Sequence, residues 1–178
     1  MQFSLDDAMV MLERTPRTLR VMLNDLPERW THANYGPDTW SPHQIVGHLI
    51  FGELTDWIPR ARRILEHGEN KAFDPFDRAG HEPLIKGRTM TGLLDEFETR
   101  RAESLEALRT MRPTETDLDR VGRHPALGPA TLRNLLAAWV VHDLNHIHQV
   151  AKALAHQYGD EAGPWKAYLS ILSPPAPR

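Results

Sequence analysis

An all-α protein, built as a four-helix bundle with long inter-helix loops and a short C-terminal helix, is what these 178 residues predict. Three observations carry that expectation. Apolar residues recur at helical spacing in four long segments. Ser, Thr, Pro and Gly stand where helices start and stop, and no segment shows the alternation of a half-buried strand. With 40% hydrophobic and 25% charged residues, the chain can bury a real core as one domain over 1–178.

The first helix begins at Ser4, an N-cap ahead of Leu5, Ala8, Met9, Met11 and Leu12. Thr15-Pro16 interrupts it, because Thr can cap a new helix and Pro suits a first turn. A kinked helix, or two in tandem, is therefore expected, with Leu19, Val21, Met22, Leu23 and Leu26 continuing the apolar side until Pro27 ends it. A loop holding Trp30, Tyr35, Gly36 and Pro37 leads to Trp40-Ser41-Pro42-His43-Gln44. Here Ser41 caps, Pro42 takes the first position and Gln44 completes a capping box. The second helix then runs through Ile45, His48, Leu49, Gly52 and Leu54 to about His67, bent at Pro59 and terminated by Gly68. Gly47 and Gly52 would let another helix come close.

Residues 68–90 read as irregular. From Thr91 to Met111 a third helix turns Leu94, Phe97, Leu105 and Leu108 inward, with Glu96, Glu98, Arg100, Arg101 and Glu103 on its solvated side. A second irregular stretch, Pro113 to Pro129, precedes Thr131, which caps a last long helix ending near Tyr158-Gly159. A helical turn over 164–172 and the tail Pro174-Pro175-Ala176-Pro177 finish the chain.

Composition narrows the function. A net charge of -3 argues against a nucleic-acid binder that relies on bulk positive charge. No apolar run has the length of a membrane span, and Met1 to Asp7 lacks the regions of a signal peptide, so the cytoplasm is the expected location. The absence of Cys excludes disulfides, thiolate zinc sites, iron–sulfur clusters and a protein-borne thiol nucleophile.

The chemistry sits in Trp139-Val140-Val141-His142-Asp143-Leu144-Asn145-His146-Ile147-His148-Gln149-Val150. His142 and His146, four apart, share one helix face and can grip one divalent ion. With 10 His in the chain, about half of one such pair is expected by chance, so context must decide. The same face carries Leu135, Ala138, Trp139, Gln149, Val150 and Ala153, which turns both rings into the bundle, where polar groups need partners or a metal. On the second helix Ile45, His48, Gly52 and Thr55 share a side, and His48 repeats the oddity. One buried ion would satisfy all three rings, whereas His48 alone reads more simply as a core histidine. His148 is rotated by about 200° from His146 and points elsewhere. His43 and His67 look like surface residues at the helix ends, and His32, His81, His124 and His156 show no grouping. Arg60, Arg62 and Arg63 fit the helix macrodipole better than a phosphate site. Trp40, Trp57 and Trp139 read as core.

Trp40-Ser41-Pro42, His48-Leu49, the run Leu127-Gly128-Pro129-Ala130-Thr131-Leu132-Arg133 and His142 to Gln149 together resemble the DinB-like superfamily of metal-binding four-helix bundles, over nearly the whole chain. The resemblance implies that His48, His142 and His146 hold one divalent ion (zinc, nickel, iron or manganese) near an end of the bundle, with water in the remaining positions. It also implies a small-molecule substrate and chemistry of the thiol S-transferase or hydrolase kind, the former with a low-molecular-weight thiol as cosubstrate. A homodimer is expected too. A non-enzymatic bundle pinned by its ion, with a stress-related binding role, is the competing reading.

Three imidazoles leave a coordination position open, the pattern of a catalytic site. Asn145 and Gln149, three residues from His142 and His146, can orient a ring or a water. Glu53 and Asp143 are the nearest acidic residues, able to accept a ring N–H or act as base, or else to serve as solvated helix charge. The loops 68–90 and 113–130 are long for a bundle, and one of them is expected to cover the ion.

Overall fold

Each of the four long helical stretches starts on a capping residue, three of them marked in the sequence and the fourth, Thr89, standing two residues before the expected start at Thr91. The computed structural model describes residues 1–173, so the tail Pro174-Pro175-Ala176-Pro177 lies outside the described residues. Helix α1 (Leu5–Leu23) starts from Ser4, whose hydroxyl accepts from the Asp7 N–H at 3.2 Å. One turn of helix, α2 (Glu28–Thr31), follows Pro27, so Pro27 opens a short helix where it was expected to close a long one. The second stretch comprises α3 (Pro42–Thr55), with the Ser41–Gln44 capping box, and α4 (Trp57–His67). A single turn, α5 (Glu82–Ile85), lies within the 68–90 segment. Then come α6 (Met90–Met111), capped by Thr89, and the one-turn α7 (Glu115–Leu118). Last is α8 (Leu132–His156), with a capping box between Thr131 and Asn134.

Three expectations fail here for physical reasons. Pro16 does not divide α1 into two helices: it removes the N–H that would bond to the Leu12 carbonyl, but Arg101 Nη1 donates to that carbonyl at 2.6 Å. The second stretch breaks at Asp56, three residues before Pro59, which places Pro59 in the first turn of α4 where no N–H is needed. Finally, two four-residue strands, β1 (Val121–His124) and β2 (Gly128–Thr131), pair antiparallel, with Val121 opposite Thr131 and His124 opposite Gly128. The turn is closed by His124 Nδ1, which accepts from the Ala126 and Leu127 N–H groups, both at 3.1 Å. Strands this short carry too few residues to show alternation.

Around the bundle the order is α1, α6, α3, α8 and back to α1. The first long helix therefore neighbours the third and fourth, and the second lies diagonally across from it. Two apolar clusters fill the interior. One gathers Leu12, Trp57, Leu105, Leu136 and Trp139; the other gathers Leu19, Leu49, Ile50, Phe97 and Val150. Between them every long helix contributes buried polar side chains: Thr15 from α1, Glu53 from α3, Arg101 and Ser104 from α6, Asp143 and His146 from α8. That polar layer positions the site.

Candidate metal centre

The layer is held by Arg101, which is 1% exposed. It was expected on the solvated side of its helix, yet Leu94, Phe97, Arg101, Leu105 and Leu108 follow the three- and four-residue steps of one helix face, and that face is buried. All five guanidinium N–H groups have acceptors. Nε and Nη2 donate to Glu53 Oε1 at 3.0 and 2.7 Å. Nη1 and Nη2 donate to Asp143 Oδ2 and Oδ1 at 2.6 and 3.2 Å, and Nη1 also reaches the Leu12 carbonyl. The Phe97 and Trp139 rings lie 5.1 Å from the cation. Glu53 and Asp143 are thus buried partners of an arginine, not solvated helix charge. Burial pushes the Glu53 carboxyl up despite Arg101. At Asp143 burial pushes the same way, but the Arg101 charge, with hydrogen bonds from neighbours, outweighs it and holds the carboxyl below its usual range.

Against this layer the three expected histidines converge. His142 Nε2 lies 3.1 Å from His48 Nε2 and 3.1 Å from His146 Nε2, and one nitrogen of each ring lies within 4.8 Å of the others. Two imidazole–zinc bonds of about 2.0–2.1 Å meeting at roughly 90–110° hold their nitrogens about 2.9–3.4 Å apart, so the donor set fits a divalent ion. The electronic state fits as well. Burial, reinforced by the neighbouring rings, lowers His48 to about 2, and burial followed by the His142 charge lowers His146 to about 4. Both stay neutral, as ligands must be. Gln149 Oε1 accepts from His146 Nδ1 at 2.8 Å, which leaves His146 Nε2 bare and aimed inward. Asp143 Oδ1 lies 3.9 Å from His142 Nδ1, beyond a hydrogen bond. Asn145 is exposed and orients nothing, and so is His148.

The rings sit at mid-length of α3 and α8, beside the polar layer. Trp40 is part of their wall as well as of the core, with its ring 4.7 Å from His48 and stacked 6.3 Å from His146. Trp57 meets His142 edge-on at 5.1 Å. The 68–90 segment supplies the cover: Phe76 packs edge-on against His48 at 5.4 Å, and His81 lies 6.1 Å from the same ring. That cover comes close because Gly47 and Gly80 lack side chains; a Cβ on either would run into Ile85 or Phe51. Gly47 thus admits the one-turn α5, not a bundle helix. His81, expected to be ungrouped, belongs to the site. His43, expected at the surface, is buried with Nε2 bonded to the Arg88 carbonyl oxygen at 2.9 Å. Sequence reasoning missed Arg101, His81 and Phe76; only Arg101 left a signal, its register on the apolar stripe.

Known proteins resemble the chain in sequence and in fold. A family model described as the DinB superfamily matches residues 11–150. A protein of Oceanobacillus iheyensis, provisionally named a metal-dependent hydrolase, is 23% identical over 140 residues, which is 78% of this chain and 79% of the relative. The solved structure of YfiT from Bacillus subtilis, described as a probable metal-dependent hydrolase with an unusual four-helix bundle topology, superposes with a TM-score of 0.74. It is 24% identical, and the match covers 89% of this chain and 91% of YfiT.

Proposed function

The chain belongs to the DinB superfamily, and we propose that it is a metal-dependent hydrolase of small molecules whose divalent ion is held by His48, His142 and His146. The observation that carries the reading is the convergence of three Nε2 atoms, two of their separations being 3.1 Å. Among the described residues the cluster contains three histidine donors and no fourth His, Asp or Glu, which supports an open, catalytic position over a closed, structural one. The names of the Oceanobacillus and Bacillus relatives support water as the attacking group. Nothing in the site favours a thiol cosubstrate over it.

A divalent ion in this position supplies Lewis acidity, making water a nucleophile near neutral pH and polarising the oxygen of an electrophile. The chain's own groups prepare that chemistry. Burial keeps the His48 and His146 rings neutral, and Gln149 fixes the His146 tautomer. Two carboxylates against one guanidinium place surplus negative charge behind His142, which favours a cation in front of it. Trp40, Trp57 and Phe76 wall the site with aromatic surface that excludes water from an apolar part of a substrate.

Untagged protein should contain close to one equivalent of a divalent metal and should hydrolyse some member of an ester, amide and phosphate panel, whereas His146→Ala should lose both metal and turnover. Turnover that persists after the metal is gone overturns the reading.

A further inference from the structure

His81 is the most buried of the chain's histidines, 1% exposed, and the hydrolytic reading leaves it without a task. Its Nδ1 lies 3.1 Å from the Arg78 carbonyl oxygen. A carbonyl only accepts, so Nδ1 carries the proton and Nε2 is a bare lone pair. That Nε2 is buried and has no hydrogen-bond partner among the described residues. His48 shows the complementary deficit. Its Nε2 faces His142, so as a ligand it keeps its proton on Nδ1, and that nitrogen too is buried without a partner among the described residues. The two rings pack edge to face at 6.1 Å, and both lie against Trp40. An unmatched donor and an unmatched acceptor therefore share one enclosed corner, where leaving either unpaired is costly.

We propose that His81 is the positioning residue for His48, its Nε2 accepting the His48 Nδ1 proton through one bridging water. The inference rests on His48 being a ligand through Nε2. His146 already has such a partner in Gln149, and ligand imidazoles almost always donate their second N–H to a neighbour. A bridging water suits two polar, enclosed nitrogens that make no hydrogen bond to each other or to any other described residue. The 68–90 segment is then more than a cover. Ile85 fills the space beside Gly47, one residue from His48, so the backbone that carries His81 is clamped against the helix that carries the ligand.

The test is zinc affinity of the full chain, measured by chelator competition, for wild type, His81→Phe and His81→Gln. His81→Phe keeps the shape and loses the acceptor, and should weaken zinc binding by about 10–100-fold. His81→Gln can place an amide oxygen near the Nε2 position and should stay within roughly threefold of wild type. Nitrogen NMR on histidine-labelled, zinc-loaded wild type should show a His48 Nδ1–H protected from exchange and a bare Nε2 on His81. Wild-type affinity in His81→Phe, equal losses in both variants, or a freely exchanging His48 Nδ1–H overturns the proposal. Should His81→Phe fail to fold, His81→Gln and the wild-type spectrum decide it. A wild type that takes up no zinc overturns the metal reading as well; a tight wild type with an indifferent His81→Phe overturns this inference alone.

Discussion

Replacing Arg101 with Met should destabilise the protein more than any change at its surface. The Met side chain fills most of the same space but leaves Glu53 and Asp143, 5% and 2% exposed, without the cation they share. Removing one partner of a buried ion pair costs about 3–5 kcal/mol. The Leu12 carbonyl, already deprived of a backbone donor by Pro16, also loses its bond, at about 1–3 kcal/mol. These losses overlap, because Glu53 can take up a proton when its partner goes, so about 4 kcal/mol is expected at neutral pH. In urea, with an m-value of about 2 kcal/mol/M, the midpoint should fall by about 2 M. The carbonyl provides an internal control. Pro16→Ala restores an N–H to Leu12, so it should stabilise the Arg101→Met background more than wild type, by about 1–3 kcal/mol. A loss below about 1 kcal/mol, or a double-mutant cycle with no coupling, would refute the reasoning.

Gln149→Leu removes the acceptor that orients His146 and should weaken zinc binding by about 10–100-fold in chelator competition, with little change in the melting temperature of metal-free protein. Zinc at about one hundred times its dissociation constant should raise wild-type stability by about 2.7 kcal/mol in urea unfolding, and a chelator should reverse the gain. The metal-free protein should lose stability as pH falls below about 6.5, because the unfolded chain protonates both histidines while the folded chain holds His48 near about 2 and His146 near about 4. At pH 5 that is about 2 kcal/mol for each ring, and a flat profile between pH 7 and 5 would contradict the burial argument. Glu53→Gln should move two quantities in opposite senses. It removes surplus buried charge, so metal-free stability should hold or rise, while zinc affinity should fall by about tenfold.

What the sequence revealed and what it hid divide along the range of the interactions. Ser4, Ser41 with Gln44, and Thr131 cap their helices through contacts three residues apart, and the third helix showed in its stripe of Leu94, Phe97, Leu105 and Leu108. Local reasoning thus found every long helix while missing the Thr89 cap. The His142 and His146 pair was legible for the same reason, and His48 followed from an inward polar residue on an apolar helix face. Arg101 was assigned to solvent by its charge alone, although Phe97, Arg101 and Leu105 occupy successive turns of the buried stripe. Two facts from distant segments make an arginine tolerable there: carboxylates on α3 and α8, and the carbonyl that Pro16 frees on α1. No single segment contains both. Pro16 and Arg101 are each unfavourable in isolation, one inside a helix and one inside a core, yet Pro16 frees an acceptor for the buried guanidinium and Arg101 supplies the donor that the Leu12 carbonyl lacks. Where two such local faults are complementary, the polar layer they create is a specification of register among four helices, and the three imidazoles are aligned by it.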